Sequence, residues 1–404
     1  AAARISGKID YARVHRAKAE ALGRAFDRFY REEWAQLTTR AADLAAYISR
    51  ERWWLDDWAT YAAIGGATGS MDWREWPAPL RDRDRAALED ARRQLARDVL
   101  RHQYLQWIAE SQWQAAREGA RTNGVTVIGD MPFMVSAASP DVWVRPEEVM
   151  LDVSLGVPPD AFSATGQDWG LPTYRWDRIA QTGYTWIRQR ARRMAALYGG
   201  YRVDHLVGWF RTYGKPPGGD AFFNPSDEPA QVAQGEAILR ILIDSGAAII
   251  AEDLGVVPPF VRHALARMNV PGCKVMRWER DWHAPGHPFT DPAGYPPLSA
   301  AMTGTHDTET LAEWWNIEGD SGRPWNDAIR DALLVAAYES GSDDLFVPAQ
   351  DVFGWTDRIN VPATIGDHNW TWRLRWSVDR LEETPEARER AEFCRTLATA
   401  SRRS

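Results

Sequence analysis

Two periodicities divide the chain. From Tyr11 to about Arg121, apolar residues recur at helical spacing in a background of Ala, Arg, Glu and Leu, as at Leu22, Phe26, Phe29 and Tyr30. Residues three and four apart share a helix face, so this stretch predicts several amphipathic helices. The Pro-containing run Trp73 to Pro79 breaks the pattern. Beyond it, Arg81 to Ser111 predicts one long helix or two in succession.

After the turn signal Asn123-Gly124 the period changes. Val125-Thr126-Val127-Ile128 is a β-branched run closing on Gly129-Asp130, which predicts a buried strand with a polar end. The form recurs at Tyr201 to Asp204, Ala247 to Glu252, Lys274 to Arg277, Met302 to Asp307 and Arg358 to Val361. Helical patterns fall between most of these runs, at Trp186 to Leu197, Val232 to Ile243, Pro259 to Met268 and Ala328 to Tyr338.

Strand and helix in alternation argue for a parallel α/β sheet. Acidic residues end several strands, where a dinucleotide fold would carry Gly-rich phosphate loops. A (β/α)8 TIM barrel, with its active site at the C-terminal strand ends, therefore fits better than a doubly wound sheet. About six units are visible, so the first two strands are expected upstream of Ala1. The opening Ala1-Ala2-Ala3-Arg4, without an initiator methionine, is in keeping with that.

In this reading residues 1–404 are one catalytic barrel domain with helical insertions. Residues 1–121 form a largely helical subdomain, and 141–180 an active-site insertion. The Pro-, Gly- and Asp-rich stretch Asp141 to Pro172 is expected to be a long βα loop.

Composition narrows the partners. With 48 basic and 56 acidic residues the net charge is −8, which argues against nucleic acid. The two cysteines, Cys273 and Cys394, sit in neither a disulfide framework nor a metal spacing, which fits a reducing cytoplasm. No apolar run reaches the roughly 18 to 20 residues of a membrane span, and nothing at the start resembles a signal peptide. The 22 tryptophans, among them Trp53-Trp54, Trp143, Trp169, Trp209, Trp314-Trp315 and Trp370, could stack on sugar faces or fill a large core.

Three carboxylates end predicted strands. Arg202 and Asp204 lie two apart and should project from one face, where a guanidinium favours the ionised carboxylate a nucleophile needs. A strand-end salt bridge would look the same. Glu252 ends an apolar strand, where desolvation would raise its pKa toward that of a proton donor. Capping a turn or pairing with an arginine is the alternative, and Asp253 should face elsewhere. Asp307 follows Gly304-Thr305-His306, where the imidazole can donate and the carboxylate accept; it could instead cap a helix from Glu309 to Trp315.

Separations of 48 residues between Asp204 and Glu252 and 55 between Glu252 and Asp307 suit βα units. All three are then expected at one end of one barrel. A retaining glycosidase needs two such groups about 5 to 5.5 Å apart.

The residues around these three resemble the 4-α-glucanotransferases of the amylomaltase and disproportionating-enzyme family of glycoside hydrolases. The likeness runs through Gly129 to Phe133, Ser139 to Trp143, Gly156 to Ser163 and Gly166 to Gly170. It continues in Arg202 to His205, Ala251 to Gly255, Gly304 to Asp307, Arg358 to Pro362 and Asn369-Trp370, over nearly the whole chain.

The resemblance implies a nucleophile at Asp204, an acid/base at Glu252 and a transition-state stabiliser at Asp307. It places Arg202 and His306 beside the sugar at the cleaved bond, Gln167 and Trp169 on a loop over the glucan, and Asp130 at the base of the site. It implies an α-1,4-glucan donor and a glucose or maltodextrin acceptor, with no metal or organic cofactor. The chain departs from the family at Leu171, where Asn is common, and at Ser139-Pro140, where Ser-Ala is more usual. Transfer rather than hydrolysis does not follow from the carboxylates. A hydrolytic α-amylase-like enzyme and a non-catalytic glucan-binding protein are the alternatives.

Overall fold

The computed structural model describes residues 7–159, 166–319, 322–362 and 364–403. The chain divides into two compact units, a larger one of residues 17–249 and 255–261 and a smaller one of 1–16, 250–254 and 262–404.

The helical periodicity is realised in four long helices, Tyr11–Phe29, Thr39–Thr68, Arg85–Gln94 and Ala96–Thr122. Asp84 starts the third by accepting from the Ala87 amide at 2.9 Å, and Gly69, at φ +79°, ends the second in the left-handed conformation that glycine tolerates best. Phe26, Phe29, Leu44, Tyr47, Leu55, Leu100 and Tyr104 pack together as the core of the first, second and fourth. The break at Trp73 is a single 3-10 turn, Trp73–Glu75, followed by the short helix Ala78–Arg81.

Ten strands follow. In the larger unit β1 (Ile128–Met131), β2 (Val149–Val157), β3 (Gln167–Tyr174), β4 (Gly200–Val203), β5 (Thr212–Lys215) and β6 (Phe222–Asn224) form two kinds of pairing. β1 and β4 run parallel, with Asp130 opposite Arg202. The others make an antiparallel sheet in the order β3-β2-β5-β6.

This sheet corrects the expectation of a loop from Asp141 to Pro172. The stretch holds a short helix, Pro140–Val144, and then β2 and the first part of β3. Register shifts between Met150 and Gly156 break the period-two alternation, so the strand does not announce itself in the sequence. Asp160 to Ser163, the end of one quoted motif, lie outside the described residues.

In the smaller unit β7 (Ala248–Ala251, whose first two residues belong to the larger unit), β8 (Gly272–Val275), β9 (Ser299–Met302) and β10 (Asp344–Phe346) run parallel in that order. Ile250, Cys273, Val275, Ala300 and Met302 form their core, with Cys273 and Val275, and Ala300 and Met302, on the one face that residues two apart share. The fold is mixed α/β, with helices Thr185–Leu197, Glu228–Ile243, Pro259–Arg267 and Asp327–Tyr338 close to their predicted bounds.

Four strand expectations need correction. β1 begins at Ile128, where the predicted run Val125 to Ile128 ends, and only Met131 in it is buried. β9 ends at Met302, where the predicted strand begins, so Gly304 to Asp307 are free to form a loop. β8 lies two residues before the predicted run. Arg358 to Val361 is no strand, and β10 at Asp344–Phe346 was missed. The Val361 amide donates to Asn369 Oδ1 at 2.8 Å, so this backbone is satisfied by a side chain and has no need of a ladder. Among the described residues no helix is long and apolar enough to cross a membrane.

Candidate active site

In the larger unit the site residues are organised by Arg202. Its register opposite Asp130 brings Nε to 3.0 Å from Asp130 Oδ1 and Nη2 to 2.9 Å from Asp130 Oδ2. The same Nη2 lies 2.9 Å from Asp204 Oδ1, so the guanidinium bridges two carboxylates. This is the shared face expected of residues two apart, and such charge-assisted bonds fix geometry as well as contributing energy. Asp204 Oδ2 accepts from the Phe133 amide at 3.2 Å, and the Asp204 carbonyl accepts from Trp209 Nε1 at 3.0 Å. Both carboxylate oxygens are therefore oriented.

The chain turns at once after Asp204, where His205 adopts φ +43°, a conformation rare for a side-chain-bearing residue. The His205 ring lies 5.5 Å from Phe133 and 4.8 Å from Trp169. Burial depresses its imidazole to about 4, so it is neutral near pH 7. Trp169 in turn donates to Gln167 Oε1 at 3.1 Å. Gln167 and Trp169 sit on strand β3, not on the loop the sequence suggested. Gly156 is required beneath them, since a Cβ there would stand 2.1 Å from the Gln167 carbonyl oxygen.

Several tryptophans turn out to be core. Trp143 and Trp209 are fully buried and Trp314 nearly so, whereas Trp370 is 50% exposed.

In the smaller unit Glu252 directly follows β7 and is partly buried. Asp253 is committed elsewhere, as expected: it is buried, its Oδ1 accepts from the Cys273 amide at 2.8 Å, and Arg262 lies 3.5 Å from Oδ2. Burial pushes the Asp253 carboxyl above the usual range. A Cβ at Gly272 would collide with this carboxylate at 2.5 Å, which accounts for glycine at the start of β8.

His306 Nε2 lies 3.2 Å from Asp307 Oδ2, and the His306 ring is 5.3 Å from that of Trp370. Asp307 does not cap the next helix. Thr310 does, its hydroxyl accepting from the Glu313 amide while Glu313 reaches back, a full capping box.

Two functional candidates that the sequence showed only as part of a motif appear beside Asp307. Asn360 Nδ2 donates to Asp307 Oδ1 at 2.7 Å. Arg358 Nη2 donates to the Asp307 carbonyl and Nη1 to Glu309, both at 2.7 Å. Among the described residues no cluster of three or more His, Cys, Asp or Glu could hold a metal ion.

Asp204, next after β4 and held by arginine, and Asp307, in the loop after β9 and beside asparagine and histidine, lie where parallel strands end, the position at which α/β enzymes carry their functional residues. The chain belongs to the 4-alpha-glucanotransferase family, whose model matches residues 1–379. It is 36% identical over 396 residues to the 4-alpha-glucanotransferase of Thermus thermophilus, covering 91% of this chain and 77% of that protein. It is 31% identical to that of Synechocystis sp., covering 93% and 77% respectively. The amylomaltase from Streptococcus agalactiae, solved in complex with acarbose, superimposes with a TM-score of 0.84 at 27% identity, covering 98% of this chain and 80% of that one.

Proposed function

We propose that the protein transfers a segment of an α-1,4-glucan to the 4-hydroxyl of a glucose or maltodextrin acceptor with retention, through a covalent glucosyl-enzyme. Asp204 attacks the anomeric carbon while Glu252 protonates the departing glycosidic oxygen. The acceptor hydroxyl, deprotonated by Glu252, then displaces Asp204, and two inversions restore the α-linkage. Asp307 accepts hydrogen bonds from the sugar hydroxyls, which strengthen as positive charge develops at the ring.

Arg202 and His306 flank the sugar at the cleaved bond, Asp130 braces Arg202, and Gln167 and Trp169 cover the glucan. The scaffold expected for this chemistry is a (β/α)8 barrel, with residues 1–121 as its helical subdomain and 141–180 as the insertion over the site. A reducing cytoplasm suits it, since neither cysteine forms a disulfide.

The observation that carries this reading is Asp204 held by Arg202 on one oxygen and the Phe133 amide on the other, in a chain of this family. A nucleophile oriented in this way needs no reorganisation as it attacks. The test is incubation with maltotriose beside Asp204→Asn, with products resolved by chain length. Glucose together with longer maltodextrins, absent in the variant, is the expected result. Reducing sugar released without redistribution of length would make the protein a hydrolase, and glucan binding unchanged by Asp204→Ala with no turnover would make it a binding protein.

A further inference from the structure

The third carboxylate is held by a clamp whose parts come from one stretch of the chain, residues 358–362 and 364–371. Asn360 Nδ2 donates to Asp307 Oδ1 at 2.7 Å. Arg358 fixes both ends of that bond through the backbone: Nη2 donates to the Asp307 carbonyl at 2.7 Å and Nε to the Asn360 carbonyl at 2.7 Å. Its remaining nitrogen, Nη1, meets Glu309 Oε1 at 2.7 Å, and Glu309 Oε2 lies 3.5 Å from Arg277 Nη1, a guanidinium only 2% exposed. Asp307 is thus tied at its carbonyl and its carboxylate to one short segment.

The segment is itself closed into a loop. Asn369 Oδ1 accepts from the Val361 amide at 2.8 Å, Asn369 Nδ2 donates to the Thr364 carbonyl at 2.9 Å, and the Trp370 amide donates to the Ile359 carbonyl at 2.8 Å. The far end of the loop lays the Trp370 ring 5.3 Å from His306. From the start of the chain, Tyr11 Oη donates to the Trp370 carbonyl at 2.5 Å and the Ile9 amide to the Thr371 carbonyl at 2.9 Å. Nothing in the roles of the three carboxylates requires this arrangement.

From this geometry we infer that Asn360, held by Arg358, is a positioning residue for the transfer reaction: it orients the Asp307 carboxylate toward the sugar hydroxyls without touching the sugar. The inference rests on the reading of Asp307 as the transition-state stabiliser. An amide suits the task because it donates to a carboxylate oxygen without adding a second full charge. The other carboxylate oxygen lies 3.2 Å from His306 Nε2. A carboxylate that strengthens its bonds only as the ring flattens must already point at the hydroxyls, because reorienting it in the transition state would consume the stabilisation it supplies. Asn360 therefore acts on kcat far more than on binding.

The test is a double-variant cycle on the full chain. α-Maltosyl fluoride serves as donor and maltotriose as acceptor, because fluoride leaves without protonation and keeps weak variants measurable. In the wild-type background, Asn360→Ala is expected to lower kcat about 10- to 100-fold, the scale of a lost bond to a charged group, with KM changed less than about threefold. In the Asp307→Asn background, Asn360→Ala is expected to change the rate less than about twofold, since a residue that acts through Asp307 has nothing left to act on. Asn360→Ser, which keeps a short donor, should recover part of the rate and also covers the case in which the alanine variant does not fold.

Equal losses in both backgrounds would overturn the inference, and so would a loss confined to KM. Full activity of Asp307→Asn alone would instead overturn the assignment of Asp307, a result distinct from the first.

Discussion

Arg202 Nη2 stands 2.9 Å from Asp204 Oδ1, and the same nitrogen stands 2.9 Å from Asp130 Oδ2. One planar cation therefore sets the position of Asp204 by leaning on a second carboxylate across the β1 and β4 pair. Lysine carries the charge but has no fork with which to hold both acids in a fixed plane. Arg202→Lys is expected to lower kcat for maltotriose disproportionation by about 100-fold, and Asp130→Asn by a smaller factor, because it weakens only the brace. Disproportionation rates near wild type in Arg202→Lys would show that charge alone suffices.

The assignment of the two reacting carboxylates can be read from stereochemistry. With α-maltosyl fluoride and azide, Asp204→Gly should give the β-azide, since azide takes the nucleophile's place in a single inversion. Glu252→Ala should give the α-azide, because the covalent intermediate still forms and azide needs no general base. Product anomers are resolved by NMR. The opposite pairing of variant and anomer would exchange the two roles.

What could be read from the sequence followed how local each cause is. Helices with an apolar stripe, such as Asp327–Tyr338, were legible to within a few residues because one element supplies both pattern and cap. So was the Arg202 and Asp204 pair, which depends only on the two-residue repeat of a strand. β2 was not legible, because register shifts between Met150 and Gly156 interrupt its alternation. Arg358 to Val361 reads as a strand from its β-branched residues, but its side chains and amides are engaged by Asp307, Glu309 and Asn369, partners distant in sequence. The tie between Asn360 and Asp307 spans 53 residues and has no periodic trace.

Gly156 offers a test of how Gln167 and Trp169 are held. A Cβ there would lie 2.1 Å from the Gln167 carbonyl oxygen, a backbone atom that cannot swing aside, so β3 must move. Gly156→Ala should therefore raise KM for maltotriose about tenfold or more while the rest of the fold survives, with the melting temperature falling a few degrees. An unchanged KM would indicate that this end of β3 has no part in holding the glucan.

Two histidines give stability a pH dependence whose sign is fixed by burial. His102, edge-on to Trp58 at 5.6 Å, and His205 are both pushed down to about 4 by burial. Between about pH 6.5 and 4 the unfolded chain binds a proton at each and the folded chain does not, so stability is fully present above 6.5 and falls as the pH drops through that window. Each histidine contributes at most about 3 kcal/mol over the range. Asp253 and Asp351 act in the opposite sense, because burial raises their carboxyls and the folded state takes up protons first. The total slope mixes these contributions, so the discriminating comparison is between wild type and His102→Gln, which leaves the carboxylates alone. Urea midpoints measured from pH 7 to 5 should fall less steeply in His102→Gln, with the two curves converging toward the acid end. Parallel curves would mean that His102 takes up its proton alike in the folded and unfolded chains.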